Sequence, residues 1–524
     1  MSSPFKYFET MTEISVLHLL LIMCLFVAFY LNIYNVPLFD LDEGAFSEAT
    51  REMFERGDFI STYLNGEPRY DKPILIYWLQ ALSVSVFGVN EFAFRLPSAL
   101  SASAWVLGLV WFARFWMDEK QALFAGIMLA CSLSISVIGK AATADALLNC
   151  LLAFSMFFLF LHLHNGGRQR LWLFYLFASL GFLAKGPVAL VVPGAVSFLY
   201  LLSKRRWRDW FLLAFNPVGI VIFLVVAMPW YVLQYQAKGW EFIQGFFLQH
   251  NVDRFQGAME GHSGGLIYYV PVVLLALMPF TILVFKVFAN FRLVLKNDLQ
   301  LFLVIWFLFV LVFFSLSGTK LPHYVNYGLT GLVLLMTIYL HDVKKHFWLF
   351  LPIILFFVLM WLLPDQLAVQ ALNERDDYFR LALSDMDTQF DALYYGLIAV
   401  LLLLNVALLF LKKSSLRIRL AVTGLSLLVF LNSQLLVIMG NTIQAPVKQA
   451  ALLAKSQQIQ TVVMWQLNMP SFAVYFDHPL EKRIPRAGDV VFTHPVARQQ
   501  LSTHEVLYEK GGVSLIRLSQ VEDS

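Results

Sequence analysis

Three carboxylates, Asp40, Asp42 and Glu43, open the polar run Asp40-Leu-Asp42-Glu43-Gly-Ala-Phe-Ser-Glu48-Ala-Thr-Arg51-Glu-Met, and the same outer loop continues through Asn65-Gly66-Glu67-Pro68-Arg69-Tyr70 to Asp71-Lys72-Pro73. Carboxylates at this spacing can deprotonate an acceptor hydroxyl, hold a divalent cation, or do both. They can also serve as helix caps, because an Asp at a helix start accepts backbone amides and complements the dipole. The same two uses, chemistry or capping, are open to Asp145 in Thr143-Ala-Asp145.

Lys72, Lys185, Arg254 and Lys320 are contributed by four different loops. A phosphate leaving group gains charge as its bond breaks, and converging cations would stabilise it. Taken singly, each also fits an interfacial side chain whose apolar stem lies along the membrane. The loop His250-Asn251-Val-Asp253-Arg254-Phe255, continuing to Glu260-Gly-His262, adds imidazoles and carboxylates, so that His250 or His262 can be read as a metal ligand. His323 and Tyr324, next to Pro322, suit a polar head group and equally an ordinary interfacial pair.

The elements that must position these groups are membrane helices. Hydrophobic residues make up 59% of the chain and charged ones only 14%, against about a quarter charged in ordinary globular proteins. Apolar runs long enough for a hydrocarbon core recur from residue 14 to residue 440, and backbone amides in lipid must be paired within each run, so the runs are helices; β-barrel alternation is absent. The first run lacks a small-residue cleavage site and reads as a retained helix. The middles of the spans hold essentially no ionisable side chains, which argues against ion-coupled transport. The net charge of +3 is dispersed over short loops and makes no nucleic-acid-binding face. Cys24, Cys131 and Cys150 are isolated and form no disulfide or metal pattern.

Lys and Arg bias places the loops at Arg114 to Lys120, Arg168 and Arg170, Lys204 to Arg208, Lys286 to Lys296, Lys344-Lys345 and Lys412 to Arg419 on the cytoplasmic side. The candidate residues then all face outward. This alternation requires the run Ile74 to Gly88 to lie in or re-enter the outer interface and 171–203 to form a hairpin with Lys185 at its tip. The expected architecture is a polytopic α-helical protein with about thirteen transmembrane helices over residues 1–440, outer loops at 36–94 and 236–265, and a small outer α/β domain at 441–524. Glu43 to Arg56 reads as an amphipathic helix lying flat on the outer leaflet and ended by Gly57. In the tail, a helix from Pro446 to Lys455 precedes β-type runs at 461–465, 472–476, 489–493, 505–508 and 513–518.

Taken in order, these pieces resemble the bacterial polyprenyl-phosphate-dependent glycosyltransferases related to aminoarabinose transferase and the protein O-mannosyltransferases, which share the GT-C membrane fold. The matching elements are Asp42-Glu43 with Arg51-Glu-Met, Gly57-Asp58, Asn65-Gly66, Asp71-Lys72-Pro73 with Tyr77-Trp78, and Arg95-Leu-Pro-Ser. Thr143-Ala-Asp145-Ala-Leu, Lys185-Gly186-Pro187, Pro229-Trp230-Tyr231, the His250 to Phe255 block and Lys320-Leu-Pro322-His323-Tyr324 complete the series, covering about residues 10–345. The resemblance implies a sugar carried on undecaprenyl phosphate, transferred at the periplasmic face of the bacterial inner membrane. It also implies that Asp42 engages the acceptor and that Lys72, Lys185 and Arg254 bind the lipid phosphate. Relatives can use a divalent metal near the first outer loop; where many have Glu-Lys-Pro, this chain has the shorter Asp71 before Lys72-Pro73.

The expected site therefore has Asp42 and Asp145 as catalytic groups, and Lys72, Lys185, Arg254, Lys320 and Tyr324 around the donor phosphate. Glu43, Asp71 and His250 are the expected ligands of a divalent ion, Zn, Mg or Mn. The expected acceptor is lipid A or another lipopolysaccharide component, with a Ser or Thr of an exported protein as the alternative. A flippase or transporter for a lipid-linked sugar is the competing class, and a membrane scaffold a third.

Overall fold

The computed structural model describes residues 4–257, 264–374, 380–381, 386 and 389–519. Glu260 and His262 lie outside the described residues, and so does the side chain of Arg254.

Among the described residues, seven helices are long and apolar enough to cross a membrane, including Glu91–Ala113, Asp145–Asn165 and Asp298–Leu316; a bent pair, Trp207–Ala214 and Pro217–Val226 at 43°, makes an eighth if it is one span. Several further apolar runs fold as shorter or broken helices, so helix length and composition alone do not reach the expected count of about thirteen. The run 171–203 divides at Gly186-Pro187 into Arg168–Lys185 and Val188–Ser203, with Lys185 at the turn. Proline lacks the amide that would continue the ladder and restricts the residue before it. Leu75–Phe87 has only 13 residues, about 20 Å of helix at ~1.5 Å per residue, too short to span.

The helices pack around fully buried Trp105, Trp306, Phe112 and Phe157. Buried indoles need an acceptor for their N–H. Trp105 donates to Thr330 Oγ1 at 2.9 Å and Trp306 to the Tyr327 carbonyl at 2.7 Å, so core packing also fixes the helix Asn326–Ile338 and the ring of Tyr327.

The amphipathic helix Asp42–Arg56 ends at Gly57, whose φ of 66° suits a residue without a Cβ. It does not lie flat on the leaflet. Residues 43–53 are buried, including Glu48, Thr50, Arg51 and Glu52, because the helix is sandwiched between Leu75–Phe87 and the outer domain's helix Ser471–Phe476. Several of its polar side chains find partners inside the protein: Thr50 donates to Gln80 Oε1 at 2.8 Å, and Arg51 makes a two-pronged pair with Glu48.

A continuous helical run, Leu416–Ser456, leads from the membrane into the outer domain. The domain's four-stranded sheet has the order Val463–Met464, Val490–Thr493, Val513–Leu518, His504–Lys510, with the first pair parallel and the others antiparallel. The expected strand at 472–476 is instead the helix Ser471–Phe476. Pro470 immediately precedes it, which suits a helix start, and its docking on the first outer loop overrides the β-type composition.

Candidate active site between two cavities

Arg95 and Glu43 set the loop that follows the first helix. The guanidinium donates to both Glu43 oxygens at 2.8 and 2.6 Å and also to the carbonyls of Ile33, Val36 and Pro37. Glu43 in turn accepts from the amides of Phe39 and Ala142. Both residues are buried, and a pair so completely hydrogen-bonded offsets the desolvation that burial of two charges costs. The pair thus ties the end of the first helix, the start of Asp42–Arg56 and the turn before Asp145 into one frame. The expectation that Glu43 is a metal ligand gives way here, because both its oxygens are engaged by Arg95 and the two backbone amides.

Asp42 and Asp145 each stand at the first position of a helix, and neither caps it with its side chain. Capping therefore does not account for them. Asp145 pairs with Lys185 Nζ at 2.5 Å and lies 3.6 Å from His323 Nε2. Thr143 Oγ1 donates to its second oxygen at 3.2 Å. Lys185 is flanked by the rings of Tyr327 and Tyr324, 5.7 and 6.0 Å from their centroids. Asp42 accepts no side-chain hydrogen bond among the described residues; burial and then the charge of Asp145 push its pKa up, with Asp71 adding to this and Lys72 and Lys185 opposing it.

Lys72 donates to Asp71 Oδ1 at 2.6 Å, Arg69 to Oδ2 at 2.8 Å, and His250 Nδ1 lies 3.4 Å from Asp71 Oδ1. Burial alone would raise the pKa of Asp71, but these three groups hold its carboxyl well below the usual range. The π-helical segment Ile243–Asp253 brings His250 to this cluster from the 236–265 loop.

These groups line two spaces. A cavity of about 440 Å³ has Lys72, Lys185, Tyr324 and Tyr327 at its polar end, and Phe246, Phe313 and other apolar side chains along its walls. A second, of about 320 Å³, is lined by Asp40, Asp42, Asp145 and His323. The Asp145 to Lys185 ion pair stands between them, one partner lining each. The first space suits a phosphate with an apolar chain. The second suits a hydroxyl-bearing group facing a carboxylate whose raised pKa makes it a stronger base than an ordinary carboxylate.

Among the cations read from the sequence, Lys72 and Lys185 thus line one cavity. Lys320 does not. Its ammonium donates to the carbonyls of Ser315 and Ser317, at 3.0 and 2.6 Å, at the end of Asp298–Leu316. It is buried there as a helix C-terminal cap. Arg254 begins the short helix Arg254–Gln256.

The donors for a divalent ion were tested against this geometry. No three His, Cys, Asp or Glu side chains come together in a metal-sized group among the described residues. Asp71 and His250 are neighbours, but the Asp71 oxygens already face Lys72 and Arg69. The described residues do not fit a metal caged by the protein.

Sequence reasoning missed Arg69 as a partner of Asp71, although the spacing of two residues in an extended loop would place both on one face. It missed Lys140 in the second cavity altogether, since a single Lys after Gly139 looks like any loop cation. Arg95 was visible as part of a motif but not as the counter-ion of Glu43, a pairing between residues far apart in sequence.

The profile of the family described as dolichyl-phosphate-mannose-protein mannosyltransferase matches residues 71–233. An uncharacterised protein of Aquifex aeolicus is 31% identical over 315 residues, covering 60% of this chain and 71% of that protein. The undecaprenyl phosphate-alpha-4-amino-4-deoxy-L-arabinose arabinosyl transferase of Serratia proteamaculans is 29% identical over 61% of this chain, which spans 59% of that enzyme. The crystal structure of ArnT from Cupriavidus metallidurans bound to undecaprenyl phosphate superposes with a TM-score of 0.79 over 96% of this chain and 97% of that one, at 21% identity. Fold, motif order and sequence relationship agree, and the chain belongs to the membrane glycosyltransferases of GT-C fold, in the group that holds the aminoarabinose transferases and the protein mannosyltransferases.

Proposed function

We propose that the protein transfers a sugar from an undecaprenyl-phosphate donor to an acceptor at the periplasmic face of the bacterial inner membrane, with lipid A or another lipopolysaccharide component as the acceptor. The observation that carries this reading is the placement of the Asp145 to Lys185 ion pair between a cation-lined, apolar-walled cavity and a carboxylate-lined one. In the first, the lipid phosphate meets Lys72 and Lys185 while its chain lies along the Phe-rich walls. In the second, the acceptor oxygen faces Asp42.

The acceptor oxygen attacks the anomeric carbon as its proton passes to Asp42. The bond from that carbon to the phosphate oxygen breaks, and polyprenyl phosphate leaves with the electron pair, its charge neutralised by Lys72 and Lys185. Asp145 orients Lys185 rather than taking the proton, since its two oxygens already accept from Lys185 and Thr143. Holding donor and acceptor in adjoining spaces makes the encounter effectively intramolecular. The relatives named as arabinosyl transferases carry an undecaprenyl-phosphate sugar in their names, which supports the donor side of this reading. The matching family profile, described by a protein acceptor, keeps a Ser or Thr of an exported protein as the second reading.

The test is release of free undecaprenyl phosphate from a mass-tagged undecaprenyl-phosphate sugar by purified protein in lipid, with a lipopolysaccharide acceptor, comparing wild type with Asp42→Asn. Release with sugar appearing on the acceptor, lost in the variant, supports transfer. Donor binding with intact donor recovered on the opposite leaflet would instead make the protein a flippase.

A further inference from the structure

Arg69 does not line the donor cavity, yet it holds a residue that does. Its backbone is set by the hairpin Tyr63–Leu64 and Glu67–Pro68, whose turn residues Asn65 and Gly66 have φ of 52° and 85°, the geometry that an Asn-Gly turn favours. Glu52 accepts from the Gly66 amide at 3.2 Å and Arg56 donates to the Gly66 carbonyl at 3.3 Å, so the turn is tied to the helix Asp42–Arg56. Past the hairpin, the Arg69 amide donates to the Thr62 carbonyl at 2.8 Å, and Thr62 Oγ1 donates to the Arg69 carbonyl at 2.7 Å. The Arg69 backbone is therefore fixed relative to the helix that begins at Asp42.

Its side chain, only 13% exposed, is fixed as firmly. Nε donates to the Tyr77 hydroxyl at 3.3 Å and Nη2 to Asp71 Oδ2 at 2.8 Å. The guanidinium lies over Phe46, 5.5 Å from the ring centroid, and Phe46 stacks on Tyr77 at 5.3 Å. A planar fork can serve two acceptors in fixed directions, which an ammonium cannot. The other Asp71 oxygen, Oδ1, accepts from Lys72 at 2.6 Å. One carboxylate is thus divided between two cations, and one of these, Lys72, lines the donor cavity.

We propose that Arg69 is a positioning residue for the donor: by engaging one oxygen of Asp71 it limits the pull of that carboxylate on Lys72 and leaves the Lys72 charge available to the lipid phosphate. This rests on the reading that the donor phosphate meets Lys72. In a shielded site a carboxylate attracts a neighbouring ammonium far more strongly than in water. Without Arg69, Asp71 turns both oxygens to Lys72, and an incoming phosphate competes with a whole carboxylate rather than a shared one. The contacts of Arg69 with Tyr77 and, over its ring, with Phe46 of the helix Asp42–Arg56 keep this adjustment in register with the acceptor side.

The experiment is a double-variant cycle on undecaprenyl phosphate binding by the full-length protein in lipid: wild type, Arg69→Gln, Asp71→Asn and the two together, with Lys72→Gln alongside. With Asp71 present, Arg69→Gln should weaken binding about fivefold, within the range of couplings in one ion-pair network. With Asp71→Asn already in place, Lys72 has no carboxylate to be drawn to, and Arg69→Gln should change binding by less than about twofold. An equal loss in both backgrounds overturns the proposal, because a loosened fold or a plain loss of positive charge acts whether or not residue 71 is charged. No loss in either background overturns it as well. If Arg69→Gln fails to fold, Arg69→Lys, which keeps the charge and loses the fork, goes through the same cycle under the same two criteria. Binding indifferent to Lys72→Gln would fail the donor-site reading and the proposal with it. Binding that depends on Lys72, without coupling between Arg69 and Asp71, fails the positioning role alone.

Discussion

Asp145 and Lys185 meet at 2.5 Å on the partition between two cavities, so that a carboxylate facing one space sets the position of a cation facing the other. Removal of Lys185 leaves Asp145 without its main partner in a site where both side chains are about nine-tenths shielded. A buried pair broken on one side costs on the order of 3–5 kcal/mol. Lys185→Met should therefore lower thermal stability and donor affinity together, whereas Lys185→Met combined with Asp145→Leu should recover much of the stability and none of the affinity. Thermal unfolding and undecaprenyl phosphate binding on both variants check this.

Asp42 presents the opposite case. Its carboxylate has no hydrogen bond to lose among the described residues and caps no helix, so Asp42→Asn should leave the unfolding temperature nearly unchanged. Transfer should fall by about 10²–10⁴-fold, the usual contribution of a positioned general base. A single-turnover assay with bound donor separates this from a binding defect.

Lys320 separates the sequence expectation from the geometry. Because its ammonium closes the end of Asp298–Leu316, Lys320→Gln should reduce stability while changing donor affinity less than about twofold. Lys72→Gln should weaken donor binding by about tenfold or more, in the range of a lost charged hydrogen bond. Titration of the two variants with undecaprenyl phosphate gives the contrast directly.

The C-terminal sheet domain is held to the loop that carries Asp42 through Asp40, which accepts from the Ser471 amide at 2.9 Å and from the Ser471 hydroxyl. Burial pushes the Asp40 carboxyl up to about 7 despite these hydrogen bonds. The folded protein therefore binds a proton that the unfolded chain has already released above about pH 4. Between that pH and about 7 the folded form holds the excess proton, so stability falls as pH rises through the window. Limited proteolysis of the outer domain should accelerate from about pH 5.5 to 8, and Asp40→Asn should flatten the profile.

How much of this was legible in the sequence differs by residue. The membrane class and the hairpin turning at Lys185 follow from hydropathy and charge bias, whereas the pairing of Asp71 with Lys72 does not follow from their adjacency alone. The roles of Glu43 and Lys320 were not legible, because each depends on a partner chosen in three dimensions: Arg95 lies 52 residues beyond Glu43, and Lys320 turns back onto carbonyls that any helix end exposes. The burial of Asp42–Arg56 was hidden for a similar reason. Its polar residues are those of a wetted helix, and only the arrival of Ser471–Phe476 from the far end of the chain covers them.

The helix Leu416–Ser456 runs for 41 residues without a break from the membrane into the outer domain. At ~1.5 Å per residue it is a rod of about 60 Å. A rod of that length acts as a lever whose short arm carries the sheet domain and whose long arm is half buried among the other apolar helices. The domain has no slack tether on which to swing, and any tilt of it must turn the shaft, or flex it at its two π-helical turns, at the same depth as Asn432 and the floor beneath Asp42.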